Sequence, residues 1–506
     1  MFNKKVRKKT PFNRRIHKSS VVKKRTSFKF EATTVSLDND RSFDNECNAH
    51  ALVDSAQNRL FRDYESQTKA RFDNVKAVLE EVLSQHTRSD FKRYANQQLF
   101  SRLGVTLDEN VWDLDKSSSS HRFPEDLYSK IIFELFLKMS EDFFVKDPLV
   151  GQNKKEAEDV FKEAGIHAVG IAPCADGRLA HFISYVLRLP YTIARRKAHA
   201  GALFDVSESV RNWVFVEHSR FREGVPNNAA DPTRYLKMAV YHFSKVDPSH
   251  QGCAAHGSDD KKAAEAAKAK LSDFRQAIEN RFGCGSTVET LLVGVNTDDD
   301  SLKIHVPNKH GEICLERFIE TDKLYSKTLS LTANEAQAVV DADIDKCNLG
   351  SRSTRPRAGI KKLIAWLTIN NFSQIEYVKN YEHGRYNDLG HAERFIGIGN
   401  GFEEVQLRNL SYYSFLDTIE EGVNDVDIGI KIFKSLNVKR GLPIPIIIRC
   451  DYDGRVPGSK TRAVEKARRL EKVIHNRYKA LSSCGLLQTM GTLRDNTGCL
   501  PAEKLV

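Results

Sequence analysis

The feature that most constrains the fold of this 506-residue chain is a change of hydrophobic period near Pro148. From Ala49 to Leu103, and again from Pro124 to Phe144, apolar residues recur every three or four positions among Ala, Leu, Gln, Arg and Glu. That period predicts long amphipathic helices, and Pro124 suits the first turn of the second block. Beyond Pro148 the run A-G-I-H-A-V-G-I-A-P-C (164–174) is short and apolar, and R-L-A-H-F-I-S-Y-V-L-R-L after it returns to a helical period. Further runs, W-V-F-V (213–216), L-K-M-A-V-Y-H-F (236–243), T-L-L-V-G-V (290–295) and L-K-I-H-V (302–306), alternate with helices, notably one from Asp259 to Phe282. Strand, loop and helix in this rhythm predict an α/β domain around a largely buried sheet. Sites in such sheets form where strands end, and Cys174 and His242 both fall at the carboxyl ends of predicted strands.

A single core seldom grows past about 250–300 residues, so two or three domains are expected. The net charge of +11 is local: residues 1–30 hold twelve Lys and Arg and no acid, which leaves 66 bases and 67 acids elsewhere. Such a tail has too little apolar surface to offset its ordering entropy, and residues 1–47 are expected to be a disordered basic tail. It lacks the apolar core of a secretory signal, and no apolar run approaches the ~20 residues that span a bilayer, so a soluble, non-membrane protein is expected. Nine scattered cysteines do not make a disulfide framework and suit a reducing compartment, with thiols free for metal.

Zinc favours thiolate and imidazole, and a catalytic site uses three protein ligands. C-A-D-G-R contributes Cys174, and Y-H-F-S-K-V-D-P-S-H-Q-G-C-A-A-H-G-S-D-D contributes His242, His250, Cys253 and His256 within fifteen residues. Taken singly, each is more often a packed core residue than a ligand. Structural zinc sites normally close with Cys-x-x-Cys pairs, and the chain has none. H-A-E at His391–Glu393 starts the deaminase pattern, but no P-C-x-x-C follows it. G-I-G-N-G-F at Gly397 has Phe402 where a nucleotide loop needs its third glycine, which disfavours a zinc alcohol dehydrogenase.

C-A-D-G-R, the fifteen-residue cluster and H-A-E-R-F-I-G-I-G, in this order and spacing, resemble the carboxysome shell carbonic anhydrases, a divergent β-class branch. The likeness spans about residue 48 to the end. It implies an α/β fold with a β-class carbonic-anhydrase-like sheet and flanking helices, an N-terminal all-α domain and a C-terminal degenerate repeat of the α/β domain. The boundaries expected are 1–47 for the tail, 48–148 for the helical domain, 149–397 for the zinc domain and 398–506 for the degenerate copy. A reduced echo of the first motif, P-I-P-I-I-I-R-C-D-Y-D-G-R, matches Cys450 to Cys174 and Asp453-Gly454-Arg455 to Asp176-Gly177-Arg178. A histidine 68 residues past Cys450 would fall beyond residue 506, so the copy is expected to lack a complete metal site.

The resemblance places one Zn2+ on Cys174, His242 and Cys253 and a catalytic pair on Asp176 and Arg178, for interconversion of CO2 and bicarbonate. On spacing alone His250 and His256 remain rivals of His242. Two thiolates cancel the formal charge of the metal, so hydrogen bonding from Asp176, kept ionised by Arg178, must help make the nucleophile. His391 and Glu393 are candidates for the proton relay, against a structural ion pair. Residence in the bacterial carboxysome is implied, where dehydration of bicarbonate would supply CO2 to RuBisCO. The tail is expected to bind RuBisCO or shell proteins rather than nucleic acid, whose mark would be salt-dependent phosphate contacts. The basic stretch Ser351–Lys362 is a candidate site for a phosphorylated metabolite, against a solvated loop, and a homodimer or higher homo-oligomer is expected.

Overall fold

The computed structural model describes residues 50–113, 125–146, 154–190, 193–225, 233–347, 357–387, 392–416, 423–498 and 500–505. The basic tail lies outside them. Cys47–Val506 forms one contiguous unit by internal contacts.

The N-terminal region is helical. In α1 (Ser55–Ser84) the Asp54 side chain caps the first turn by accepting from Gln57 N at 2.9 Å. Its Phe61, Phe72, Val75, Val78, Leu79 and Val82 are buried at helical spacing. They join residues of α2 (Phe91–Leu103) and α3 (Glu125–Lys146) in one core.

The central region holds α4 (Lys154–Glu163), β1 (Ala168–Pro173), β2 (Arg195–Arg196), α5 (Val206–Arg222), β3 (Tyr235–Phe243), α6 (Asp260–Phe282), β4 (Val288–Asn296), β5 (Leu302–His305), β6 (Phe318–Glu320), α7 (Thr321–Thr328), α8 (Ala333–Lys346) and α9 (Ala358–Tyr381). The sheet order is β2-β1-β3-β4-β5-β6, with β1 to β4 parallel and β5 and β6 antiparallel. Every residue of β3 and β4 is buried, as a parallel sheet covered on both faces requires.

Two expected elements differ. W-V-F-V lies inside α5, because S-E-S-V-R-N before it and E-H-S-R after it extend a helical period and Asp205 caps the helix; Trp213 is buried while Phe215 is exposed. The stretch after Arg178 makes a 3-10 turn (Gly177–Leu179) and a π turn (Phe182–Val186) rather than one long helix. Both turns are wholly buried, so its apolar residues pack on every side rather than along one stripe.

The C-terminal region runs β7 (Phe395–Gly399), β8 (Ser411–Phe415), α10 (Val423–Leu436), β9 (Ile444–Tyr452), α11 (Ser459–Arg477), α12 (Lys479–Ser483), β10 (Leu487–Asp495) and β11 (Glu503–Lys504). One sheet face packs into the helical core through Phe395, Tyr413, Phe415 and Ile447. The other meets α10 and α11 through Ile396, Ile398, Tyr412, Ile446 and Ile448. The order β8-β7-β9-β10-β11, parallel except for the last strand, repeats the β2-β1-β3-β4-β5 order of the first sheet.

Register sharpens the correspondence and corrects one expectation. Tyr235 of β3 pairs with Val288, and Ile444 of β9 with Leu487, the first residues of two nine-residue ladders. β9 therefore stands in the place of β3, not of β1. Pro173 pairs with Val240, and Gly399 with Arg449 at the matching position, so the counterpart of Cys174 is Asn400 and the counterpart of His242 is Asp451. Cys450 occupies the position equivalent to Tyr241, and the match between Cys174 and Cys450 joins strands that are not equivalent. Among the described residues all seven cysteines are free, and no helix is long and apolar enough to cross a membrane.

Candidate metal centre

Three chain segments converge at the carboxyl ends of β1 and β3. β1 delivers Cys174, whose backbone N donates to Val240 O of β3 at 3.1 Å. β3 carries His242 next to its last residue. The loop beyond it carries Cys253, which precedes a short 3-10 turn (Ala254–His256), while Asp259 caps α6 by accepting from Lys262 N at 3.0 Å.

The ligand atoms of Cys174, His242 and Cys253 lie within 4.8 Å of one another, and all three residues are buried. The two sulfurs are 3.8 Å apart. Two thiolates each about 2.3 Å from one tetrahedral zinc would stand at about that separation. Neither ring nitrogen of His242 has a hydrogen-bond partner, although the residue is fully buried. A buried imidazole pays for such isolation unless something binds it. The sulfurs compete for one proton: the contact with Cys253, then burial, pushes the Cys174 thiol well up, while the same contact pulls Cys253 down. This donor set fits a soft-to-borderline divalent cation.

The rival histidines stand apart. His250 is exposed and held by Asp247 at 2.9 Å, and His256 places Nε2 3.3 Å from Gly201 O. Gly201, at φ +66°, donates its N–H to Cys174 Sγ at 3.3 Å, and a Cβ there would meet His256 Nε2 at 2.6 Å. The tight approach needs glycine.

Asp176 and Arg178 form a fork beside the cluster. Arg178 Nε donates to Asp176 Oδ1 at 3.0 Å and Nη2 to Oδ2 at 2.8 Å, while the Arg178 backbone N donates to Oδ1 at 2.9 Å. Nη1 is held by Gln251 O at 2.7 Å and Thr297 Oγ1 at 3.3 Å. Asp176 Oδ2 lies 3.6 Å from His242 Nε2. Burial works against the Arg178 cation, yet Asp176, with Glu393 and Cys174 behind it, holds its pKa above the ordinary value.

The C-terminal region closes the far side of this turn. Glu393 is buried, and its Oε1 accepts from Gly177 N at 3.0 Å. A Cβ at Gly177 would fall on the Glu393 side chain, so the close approach again needs glycine. Asn409 N donates to Gly177 O at 2.8 Å, and Tyr413 N to Ala175 O at 3.1 Å. Arg408 and Thr297, absent from the sequence-based candidates, touch the Arg178 segment from 230 and 119 residues away, and no local motif marks them. His391 lies outside the described residues. So does 351–356 of the basic stretch; its described members Arg357, Lys361 and Lys362 pair with Glu289, Asp345 and Glu163.

Comparison with known proteins covers the same ground. Three family descriptions match in chain order: Carboxysome Shell Carbonic Anhydrase, N-terminal, over residues 50–144; its catalytic domain over 156–391; and its C-terminal domain over 392–506. A carboxysome shell carbonic anhydrase of Hydrogenovibrio crunogenus (strain DSM 25203 / XCL-2) is 66% identical over 456 residues, 90% of this chain and 86% of that protein. Proteins of the same name from Prochlorococcus marinus subsp. pastoris (strain CCMP1986 / NIES-2087 / MED4) and Halothiobacillus neapolitanus (strain ATCC 23641 / c2) are 45% and 43% identical. These cover 90% and 87% of this chain and 89% and 86% of their own lengths. With all three regions matched in order and two thirds of the aligned residues shared with one relative, the chain belongs to the carboxysome shell carbonic anhydrase family.

Proposed function

We propose that this carbonic anhydrase interconverts CO2 and bicarbonate in the carboxysome through one zinc ion held by Cys174, His242 and Cys253, running toward CO2 for RuBisCO. The observation that carries the reading is the meeting of two sulfurs 3.8 Å apart with a fully buried imidazole whose nitrogens lack partners, directly beside the Asp176–Arg178 fork. Zinc, when bound, supplies the Lewis acidity that makes water a nucleophile near neutral pH.

The chain's own groups do the rest. Both Asp176 oxygens accept from Arg178, which keeps the carboxylate ionised and fixes its plane. Its Oδ2 faces His242 and is placed to accept a proton from the attacking water, leaving a lone pair aimed at the carbon of CO2. Arg178 is in turn fixed by Gln251 O and Thr297 Oγ1, so the pair cannot rotate away as a unit. Glu393 grips Gly177 N, a contact that supports a holding role for this carboxylate, with proton relay as the alternative to be tested.

The shared strand order and register support reading the second sheet as a β-class copy that has lost its metal, within the proposed divisions 48–148, 149–397 and 398–506, with the last boundary moved ahead of Glu393 so that β7 stays whole. The basic tail is proposed to tether the enzyme to an acidic surface of RuBisCO or the shell, and chains are proposed to associate as homodimers or higher homo-oligomers.

Metal analysis with stopped-flow CO2 hydration on the wild type, Cys174→Ala and Asp176→Ala tests the site. One zinc per chain in the wild type is expected; Cys174→Ala should lose both metal and activity, while Asp176→Ala should keep its zinc and fall to a low but measurable rate. Zinc retained near one equivalent in Cys174→Ala would overturn the ligand set.

A further inference from the structure

The loop between β7 and β8 sends one side chain into the catalytic region. Arg408 is almost fully buried. Its Nη2 donates to Thr297 O at 2.8 Å, and its Nη1 reaches Arg178 O at 3.3 Å and Asp300 Oδ1 at 3.4 Å. The guanidinium lies over the Tyr386 ring, 3.8 Å from its centroid. Both carbonyls it touches belong to residues that place the catalytic fork: Arg178 itself, and Thr297, whose Oγ1 accepts from Arg178 Nη1.

Asp300, at the end of this bracket, is built for the purpose. It adopts φ +59°, a left-handed conformation that aspartate takes more readily than most side chains. Its Oδ2 accepts from Tyr386 Oη at 2.9 Å and Gln374 Nε2 at 2.9 Å and lies 2.6 Å from His181 Nε2. Burial alone would raise this carboxyl, but His181 and then Arg408 outweigh it and hold its pKa below the ordinary value.

We propose that Arg408, a residue outside the catalytic domain, is a positioning residue for the Asp176–Arg178 pair, bracketing the Arg178 turn to the Thr297–Asp300 turn. The proposal rests on the reading of Asp176 as proton acceptor. A planar fork spans two carbonyls and a carboxylate at once, whereas an ammonium on a flexible stem cannot hold all three in fixed directions. Without the bracket the Thr297 hydroxyl and the Arg178 carbonyl move independently, and the carboxylate loses its aim while the metal ligands stay in place. Misplacement by about 1 Å is enough to cost about 10²-fold in rate.

The test uses the full-length zinc-loaded enzyme with Arg408→Met and Arg408→Lys, each alone and combined with Asp176→Ala. Zinc per chain is measured alongside kcat and KM for CO2 hydration. Arg408→Lys keeps a cation beside Asp300, and so reports on geometry even where Arg408→Met does not fold. Expected are a kcat lower by about tenfold in Arg408→Lys, a KM within about twofold, zinc at one per chain, and under about twofold further loss when the change is made in Asp176→Ala. Wild-type kcat in Arg408→Lys, or the same tenfold loss in both backgrounds, would overturn the positioning role, since a merely structural residue costs both alike. Wild-type kcat in Asp176→Ala alone would instead remove the proton-acceptor reading, and this proposal with it.

Discussion

The two sheets share a strand order and hold opposite chemistry at the same place. Where β1 and β3 end, the chain sets Cys174 and His242, and the loop to α6 is long enough to bring Cys253 back to them. At the corresponding ends of β7 and β9 stand Asn400 and Asp451, and Asn400 Oδ1 accepts from Asp451 N at 3.1 Å. α6 begins eighteen residues after His242, whereas α11 begins eight after Asp451, too few for a matching ligand loop. Arg449 fills the space, fully buried, paired with Glu404 and with Asp451 at 2.8 Å, while Glu403 bridges it to Arg494. Burial pushes the Asp451 carboxyl up to about 6 against the pull of Arg449. One architecture can thus carry a triad fit for a metal or a closed ionic network, because the fold supplies a place and a handful of side chains supply the chemistry.

The largest effect that separates the two ends is on metal. Cys174→Ala should empty the centre and lower kcat/KM on the order of 10³-fold or more, whereas Asn400→Ala at the equivalent position should leave zinc at one per chain in elemental analysis. Metal loss in Asn400→Ala would mean that the second end still serves the first. Next in size is the ionic network. Arg449→Met leaves Glu404 and Asp451 buried without their cation, and removing one partner of such a group typically costs about 3–5 kcal/mol. Denaturant unfolding should show a loss of that order, while the folded fraction retains its zinc; a loss below about 1 kcal/mol would mean that the cluster is not desolvated as the structure has it.

Much of this was readable from the chain, and the exceptions have physical causes. The runs at 236–243, 290–295 and 302–306 are strands because apolar stretches bounded by polar turns, in step with helices, suit a buried sheet, the first two as parallel neighbours and the third antiparallel to the second. Asp259 is legible as a cap because its side chain has a local partner. W-V-F-V misleads because four apolar residues carry no period of their own. The Cys450 echo misleads for a more instructive reason. Arg455 donates to Asp453 through its backbone N at 2.9 Å, Nε at 2.9 Å and Nη2 at 2.6 Å, reproducing the Asp176–Arg178 turn in an exposed loop. The tripeptide Asp-Gly-Arg makes the same local bonds at both places, buried and exposed, so its recurrence here reports local chemistry and not topology. On spacing, His242 could be told from His250 and His256 only once β3 brought its ring within 4.8 Å of the Cys174 sulfur. Arg408 left no trace in the sequence, since Arg178, Thr297 and Asp300, to which it hydrogen-bonds, are more than a hundred residues away.

A smaller difference lies inside the sheets. Lys237 of β3 corresponds by register to Ile446 of β9, and it is buried against Phe204 with its ammonium 4.2 Å from the ring centroid. Burial lowers its pKa to about 7, opposed by Asp205. The unfolded chain titrates near 10.4, so between pH 7 and about 10 it binds a proton that the folded chain lacks, and stability rises with pH across that window by up to about 1.4 kcal/mol per unit. Lys237→Met, which gives β3 the apolar residue β9 already has, should stabilise the protein at pH 7 by a few kcal/mol and flatten that rise. An unchanged slope in unfolding measured from pH 7 to 9 would show that Lys237 keeps its charge in the folded state.

The smallest expected effect decides the role of Glu393, where the C-terminal region meets the catalytic turn. Its Oε1 needs only to accept from Gly177 N, and a glutamine carbonyl accepts equally well. If holding the turn is its function, Glu393→Gln should keep kcat within about threefold of wild type at every buffer concentration. A proton relay through this carboxylate predicts instead a fall of about 10² or more, with recovery as buffer is added, because an amide cannot carry the proton and an external base can. The first outcome confines Glu393 to the scaffold that the C-terminal region lends to the metal centre. The second would make that region a chemical participant, and the contrast between an active sheet and a silent one would then have to be redrawn through this single side chain.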